Sequence, residues 1–289
     1  MMNWPSDVKL LIGLGAMKAG TTWLYEYLRM NPEIHFSNLK EVHYFDVLNY
    51  PHDQHHLVSK VNRLHKFLDA VKQKSSNELS DAVNDFDKVS NEIRMYKNSD
   101  GKHKEYKEFL FLNYKKQKLI GDITPSYCFS SKQVISEMLS LANDVRFIFI
   151  MRDPIERLWS AIRMRAKQQT ELSFDDSCDL IVNELLSNPA HPMLTRSDYI
   201  RTLDNLESVV PHDKFLCVFY EEMFSKKVCK KISNFLDVPY IEPNLLSAVN
   251  QGESLDLDDR TYNSLYSMLE CQYVYLRKKF GESLPDSWN

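Results

Sequence analysis

VKLLIGLGAMKAGTTW, residues 8–23, is the stretch that decides how the chain is read. Its first half is a short, nearly continuous apolar run, the pattern of a strand buried on both faces of a parallel sheet. A glycine-containing turn follows, and then TTWLYEYLRM, with apolar residues at helical spacing and Pro32 as its stop. A strand that runs through such a turn into a helix presents backbone N–H groups and the positive helix end to an anion. Gly15 and Gly20 permit the tight turn and close backbone approach, and Thr21 and Thr22 add hydroxyl donors. The glycines fit the phosphate-loop frame G-x-x-x-x-G-K-[ST], but Thr21 fills the lysine slot and the lysine stands at Lys18. Without a lysine after the second glycine, triphosphate handling is poorly supported. A lysine at 18 lies along the loop, placed for a bridging oxygen on a 5′-phosphate.

Outward from this loop, EIHF (33–36), QKLIGDITP (117–125), DVRFIFIMRDP (144–154) and DKFLCVFYEE (213–222) read as further buried strands. Strands alternating with helical pattern predict an α/β fold, a P-loop-like parallel β-sheet flanked by helices. One domain over residues 1–289 is expected. Residues 52–105 differ in style, rich in charge with apolar residues at helical spacing. They predict a helical insertion, a lid or an acceptor-binding cap. The stretch from Asp258 to Trp288 reads as a helix with a docked aromatic tail.

Composition narrows the partners. With 36 basic and 40 acidic residues, the chain has no nucleic-acid signature, although a local basic pocket would be hidden in that balance. Five scattered cysteines without a C-x-x-C pair read as reduced thiols. The N-terminal residues show no signal-peptide pattern, and no apolar run approaches the roughly 18 residues of a membrane span. These features predict a soluble cytoplasmic protein without membrane or nucleic-acid partners.

FIFIMRDPIERLWS (147–160) supplies a second anion site. A buried strand ends at Arg152, Asp153 is placed as N-cap, Pro154 as first helical residue and Glu156 as the other half of a capping box. Arg152 is thereby aimed from the carboxyl end of a strand, where open α/β sheets bind ligands. Its planar fork suits phosphate, and Ser160 stands two turns along. A competing role for Arg152 or Arg157 is an ion pair with Glu156, more natural for Arg157. Two anion sites on one sheet point to a nucleotide phosphorylated at both ends of its ribose. A P-loop-type nucleotide kinase and a non-catalytic nucleotide-binding scaffold remain as rivals.

At these residues the chain resembles a known family. KAGTTW is similar to the 5′-phosphosulfate loop of sulfotransferases that use 3′-phosphoadenosine 5′-phosphosulfate (PAPS), and RDPIERLWS to their 3′-phosphate motif. The likeness extends through KEVHYFD (40–46), IGDITPSY (120–127), RSDYIRTLDNL and KFLCVFYEEMF. It implies the sulfotransferase fold, PAPS as co-substrate, 3′,5′-ADP as product and no metal requirement. It implies that Lys18 contacts the 5′-phosphate and leaving oxygen, with Ala19, Gly20, Thr21 and Thr22 holding that phosphate and Arg152 and Ser160 the 3′-phosphate. Trp23 matches a tryptophan that packs on adenine, and a plain core role is equally open. Asn250 and Gly252 stand near where the family closes over the 3′-phosphate.

Transfer to an alcohol requires a group that removes the acceptor's proton. NLKEVHYFD offers Glu41 and His43, with Lys40 and Asp46 nearby. The resemblance assigns Glu41 as general base and His43 as an orienting residue, His43 as base being the internal rival. Family members that sulfate glycans carry a lysine where this chain has Ile123, which argues against a polyanionic sugar. The acceptor expected is a hydroxyl or amine of a small metabolite, natural product or saccharide. PHDQHH (51–56) clusters three histidines with Asp53, but as a metal site it has no second cluster to complete a shell. It reads as a loop bordering the acceptor cleft.

Overall fold

The computed structural model describes residues 4–71, 79–243 and 255–288. Five strands, β1 (Lys9–Gly15), β2 (Ile34–Phe36), β3 (Leu119–Ile123), β4 (Val145–Met151) and β5 (Phe215–Phe219), form one parallel sheet in the order β2-β3-β1-β4-β5. Each lies within a stretch whose apolar run predicts it. Helix α1 (Thr21–Arg29) connects β1 to β2. Between β2 and β3 come α2 (Tyr44–Asn49), α3 (His55–Val71), α4 (Leu79–Arg94) and α5 (Lys104–Leu110). Helix α6 (Lys132–Leu139) precedes β4. Four helices separate β4 from β5: α7 (Pro154–Ala166), α8 (Phe174–Ser187), α9 (Pro192–Thr195) and α10 (Tyr199–Glu207). The chain closes with α11 (Tyr220–Met223), α12 (Lys226–Leu236) and α13 (Asp259–Phe280).

The central position of β1 explains its composition. Leu10, Leu11 and Ile12 are fully buried because helices cover both faces of a parallel sheet. Gly13 pairs with Ile148 and Gly15 with Phe149, so β1 carries an extra residue against β4 at its carboxyl end. Such bulges re-aim a strand, and here the re-aimed end becomes the glycine turn. The strand order also fixes where a ligand fits. The connection from β1 leaves toward β2 on one side, and that from β4 leaves toward β5 on the other. The crevice between β1 and β4 is therefore the topological switch point of the sheet.

Two outlying regions are tied to this core. In the insertion, Glu92 of α4 pairs with Lys60 (3.6 Å) and Arg63 (3.2 Å) of α3. Tyr96, just beyond α4, donates from its hydroxyl to the Val42 carbonyl at 3.1 Å. At the other end Asp258 caps α13, and Trp288 is buried edge-on against Phe219 at 5.3 Å. No helix among the described residues is long and apolar enough to cross a membrane.

Candidate active site

The loop after β1 is built to leave backbone donors open. Gly20 takes a left-handed conformation (φ 81°) as N-cap of α1, and no side chain caps that helix. The N–H groups of its first turn, from Thr21 onward, therefore face the loop with the positive end of the helix dipole behind them. Thr21 is buried, and Thr22 is half-buried beside it. Ala19 is buried under the loop, its N–H bonded to the Ala16 carbonyl at 3.2 Å. Gly15 has φ 119°, and a Cβ there would stand 2.4 Å from the Pro125 carbonyl oxygen. Lys18 also has positive φ (68°), and its ammonium rests 3.7 Å from the Met164 sulfur, with no carboxylate in reach of an ion pair among the described residues. Burial, Arg152 and Arg163 all push the Lys18 pKa down. Three cations thus crowd one spot, an arrangement that an anion relieves.

Arg152 joins the two motifs. It follows β4 directly, and its guanidinium donates to the Lys18 carbonyl at 3.3 Å, pairs with Glu156 at 3.0 Å and lies 4.8 Å over the Tyr220 ring. The ion pair with Glu156 is a correction. It belongs to Arg152 and not to Arg157, because Arg157 points inward, fully buried, donating to Ser197 Oγ and the Met193 carbonyl. The capping box is also half-formed. Asp153 accepts from the Ile155 and Glu156 N–H groups, but its own N–H goes to Glu221, since Glu156 is engaged with Arg152. Ser160 is half-buried two turns along α7. Trp23 is buried, stacked on Tyr27 at 5.3 Å and edge-on to Phe224 at 5.1 Å. Asn250 and Gly252 lie outside the described residues.

Residues 122–127, DITPSY, connect the loop to the segment that holds Glu41. The Thr124 N–H donates to the Gly13 carbonyl at 3.1 Å, while its hydroxyl accepts from the Val42 and His43 N–H groups at 2.9 and 3.4 Å. Asp122, almost wholly buried, accepts from Thr124 (2.7 Å), Tyr106 (2.7 Å) and Tyr127 (2.9 Å). Burial raises its pKa to about 6 against the pull of those donors. Tyr127 in turn accepts the Tyr44 N–H at 3.0 Å. Ile123 is fully buried, within 2.9 Å of where a Gly13 Cβ would be, so position 123 serves core packing in this chain.

Glu41 and His43 meet with Asp46 in a chain of charges. His43, the left-handed N-cap of α2, places Nδ1 2.6 Å from Asp46 Oδ2 and Nε2 3.4 Å from Glu41 Oε2. Lys40 bonds the other Glu41 oxygen at 2.5 Å. Asp46 is buried and also accepts from Ser126 Oγ. Burial opposes the charge on His43, yet bonds to Asp46 and Glu41 prevail and raise its pKa to about 9. Burial likewise opposes the Glu41 charge, and His43 with Lys40 overcomes it, holding the carboxyl down to about 2. At neutral pH the arrangement is carboxylate–imidazolium–carboxylate. His56 of α3 stacks on His43 at 3.6 Å with 13° between the rings. Burial first, and then His43, lower the His56 pKa to about 4, so His56 is the neutral ring of the pair.

Sequence reasoning named Asp46 only as a neighbour of Glu41, and it missed the parts of His56, Ser126, Tyr106 and Tyr127. The i, i+3 spacing of His43 and Asp46 at a helix start was the available signal for Asp46. Nothing in the spacing of the others announces that they converge.

Comparisons with known proteins agree with this geometry. The family model described as "Sulfotransferase family" matches residues 11–242. No curated protein matches. Among solved structures, a sulfotransferase from Alicyclobacillus acidocaldarius is similar at 16% identity with a TM-score of 0.64, covering 99% of each chain. The sulfotransferase domain of the Synechococcus PCC 7002 olefin synthase is similar at 18% identity with a TM-score of 0.52, covering 98% of each chain. The match spans the loop after β1, the segment around Arg152 and the Glu41–Asp46 segment, and on that ground the chain belongs to the sulfotransferase family.

Proposed function

We propose that the chain transfers a sulfuryl group from PAPS to a hydroxyl or amine of a small metabolite, natural product or saccharide, leaving 3′,5′-ADP. The observation that carries this reading is the meeting of the two anion motifs at the switch point, where Arg152 bonds the backbone of Lys18. Loop N–H groups with Thr21 and Thr22 hold the 5′-phosphate, and Arg152 with Ser160 holds the 3′-phosphate. The acceptor oxygen forms a bond to sulfur as the bond from sulfur to the bridging oxygen breaks. That electron pair settles on the 5′-phosphate, where Lys18 and the helix end balance the new charge. The acceptor's proton goes to Glu41.

Glu41 fits the base role better than His43. Both ring nitrogens of His43 already face carboxylates, whereas the Glu41 carboxylate, although bonded by Lys40 and His43, is 34% exposed and each of its oxygens keeps a further lone pair. A carboxylate with so low a pKa is a weak base. It suffices when the acceptor oxygen turns acidic only as its bond to sulfur forms. His43 then orients Glu41, and Asp46 with Ser126 fixes His43. We assign residues 52–105 as the wall of the acceptor side within a single domain, supported by the contacts of His56 with His43 and of Tyr96 with Val42. A sulfur-radiolabelled donor with a panel of acceptors tests the reading, paired with calorimetry of nucleotides. Label transfer and a preference for 3′,5′-ADP over AMP and ATP are expected. Equal affinity for the three nucleotides overturns it.

A further inference from the structure

The histidine-rich start of the insertion, beyond the stack of His56 on His43, takes no part in the bond changes of the sulfuryl transfer proposed above. Asp53 is buried, and among the described residues no lysine or arginine forms an ion pair with it. Its neighbours are imidazoles instead. His52 Nε2 is 3.2 Å from Asp53 Oδ2, and the ligating atoms of Asp53, His55 and His56 all lie within 4.8 Å of one another. A buried carboxylate with imidazoles beside it and no lysine or arginine within ion-pair distance is a costly arrangement that a bound cation relieves.

His55 adds an independent sign. Its Nδ1 lies 2.8 Å from the His52 carbonyl oxygen. An Nδ1–H donated to a backbone carbonyl fixes the tautomer with a bare lone pair on Nε2, the pattern of metal-binding histidines. The stack on His43 orients the His56 ring without using its in-plane lone pair. A second grouping, His43 with Asp46 and His56, is unsuited to an ion, because both His43 nitrogens already face carboxylates.

We propose that Asp53, His55 and His56 form a binding site for a divalent transition ion of the zinc type on the rim of the acceptor side. Two imidazoles and a carboxylate favour zinc, cobalt or nickel over magnesium or calcium. Three protein ligands with water in the fourth position make a complete tetrahedral shell, so no second cluster is required. Ligands about 2.1 Å from a tetrahedral ion stand roughly 3.4 Å apart, so the site closes by side-chain shifts of about an ångström.

The test is a titration of the full chain with cobalt(II), read by visible absorption, followed by displacement with zinc in a calorimeter. One ion per chain at micromolar affinity, with the intense bands of a tetrahedral site, is expected. His55→Ala, at an exposed position, and Asp53→Asn each weaken binding at least about ten-fold, and thermal melting confirms that both variants are folded. Binding weaker than millimolar overturns the proposal, as does a single ion held equally well by His55→Ala. Neither readout depends on turnover, so failure here and failure of the sulfuryl-transfer reading are distinguishable.

Discussion

Glu41 and Lys18 separate two contributions that turnover alone would merge. Glu41→Gln keeps the shape of the side chain and removes its capacity to take a proton. We expect turnover to fall by about 100-fold or more while calorimetry gives an unchanged affinity for 3′,5′-ADP. Lys18→Ala removes the cation that the proposed transfer places beside the leaving oxygen. A loss of about 100- to 1,000-fold in turnover is expected, of the size seen when one transition-state donor is deleted. His43 gives a prediction about stability. Its pKa is raised from 6.5 to about 9 in the folded chain, so the stabilisation from its carboxylate partners is full below about 6.5 and is lost as pH rises through about 9. The melting temperature of His43→Gln should therefore lie well below that of the unaltered chain at about pH 6, and the gap should narrow by about pH 10.

Among the elements, the β1–loop–α1 unit was the most legible in the sequence, and Gly15 shows why. Its positive φ and the Pro125 carbonyl behind it leave no space for a side chain. Gly15→Ala should destabilise the fold by about 1–3 kcal/mol in urea unfolding and weaken nucleotide binding further, because the loop is displaced. A steric demand of that kind writes itself into a single residue. The Asp153 cap of α7 is equally local and was equally readable. Long-range partners were not. Arg152 and Arg157 lie on the same short segment, and which of them reaches Glu156 depends on the buried slot formed by Ser197 and Met193, some 40 residues later. The convergence of Tyr106, Thr124 and Tyr127 on Asp122 is likewise a product of tertiary packing.

For the whole molecule, strand order does the organising. Placing β1 beside β4 brings Lys18 to Arg152 across 134 positions of sequence, and DITPSY carries the arrangement on to Glu41. The periodicity of residues 55–71 marks a helix, but no pattern tells that its first turn sets His56 over His43. The pairing of Arg152 with Glu156 carries a consequence for the catalytic cycle. If Arg152 holds the 3′-phosphate as proposed, the guanidinium freed by departing product finds a waiting carboxylate one helical turn away, a built-in competitor that hastens the exit. Silencing that competitor with Glu156→Gln should lengthen the dwell time of 3′,5′-ADP several-fold in stopped-flow displacement. If discharge of spent nucleotide limits the cycle, the tighter grip will make the variant slower.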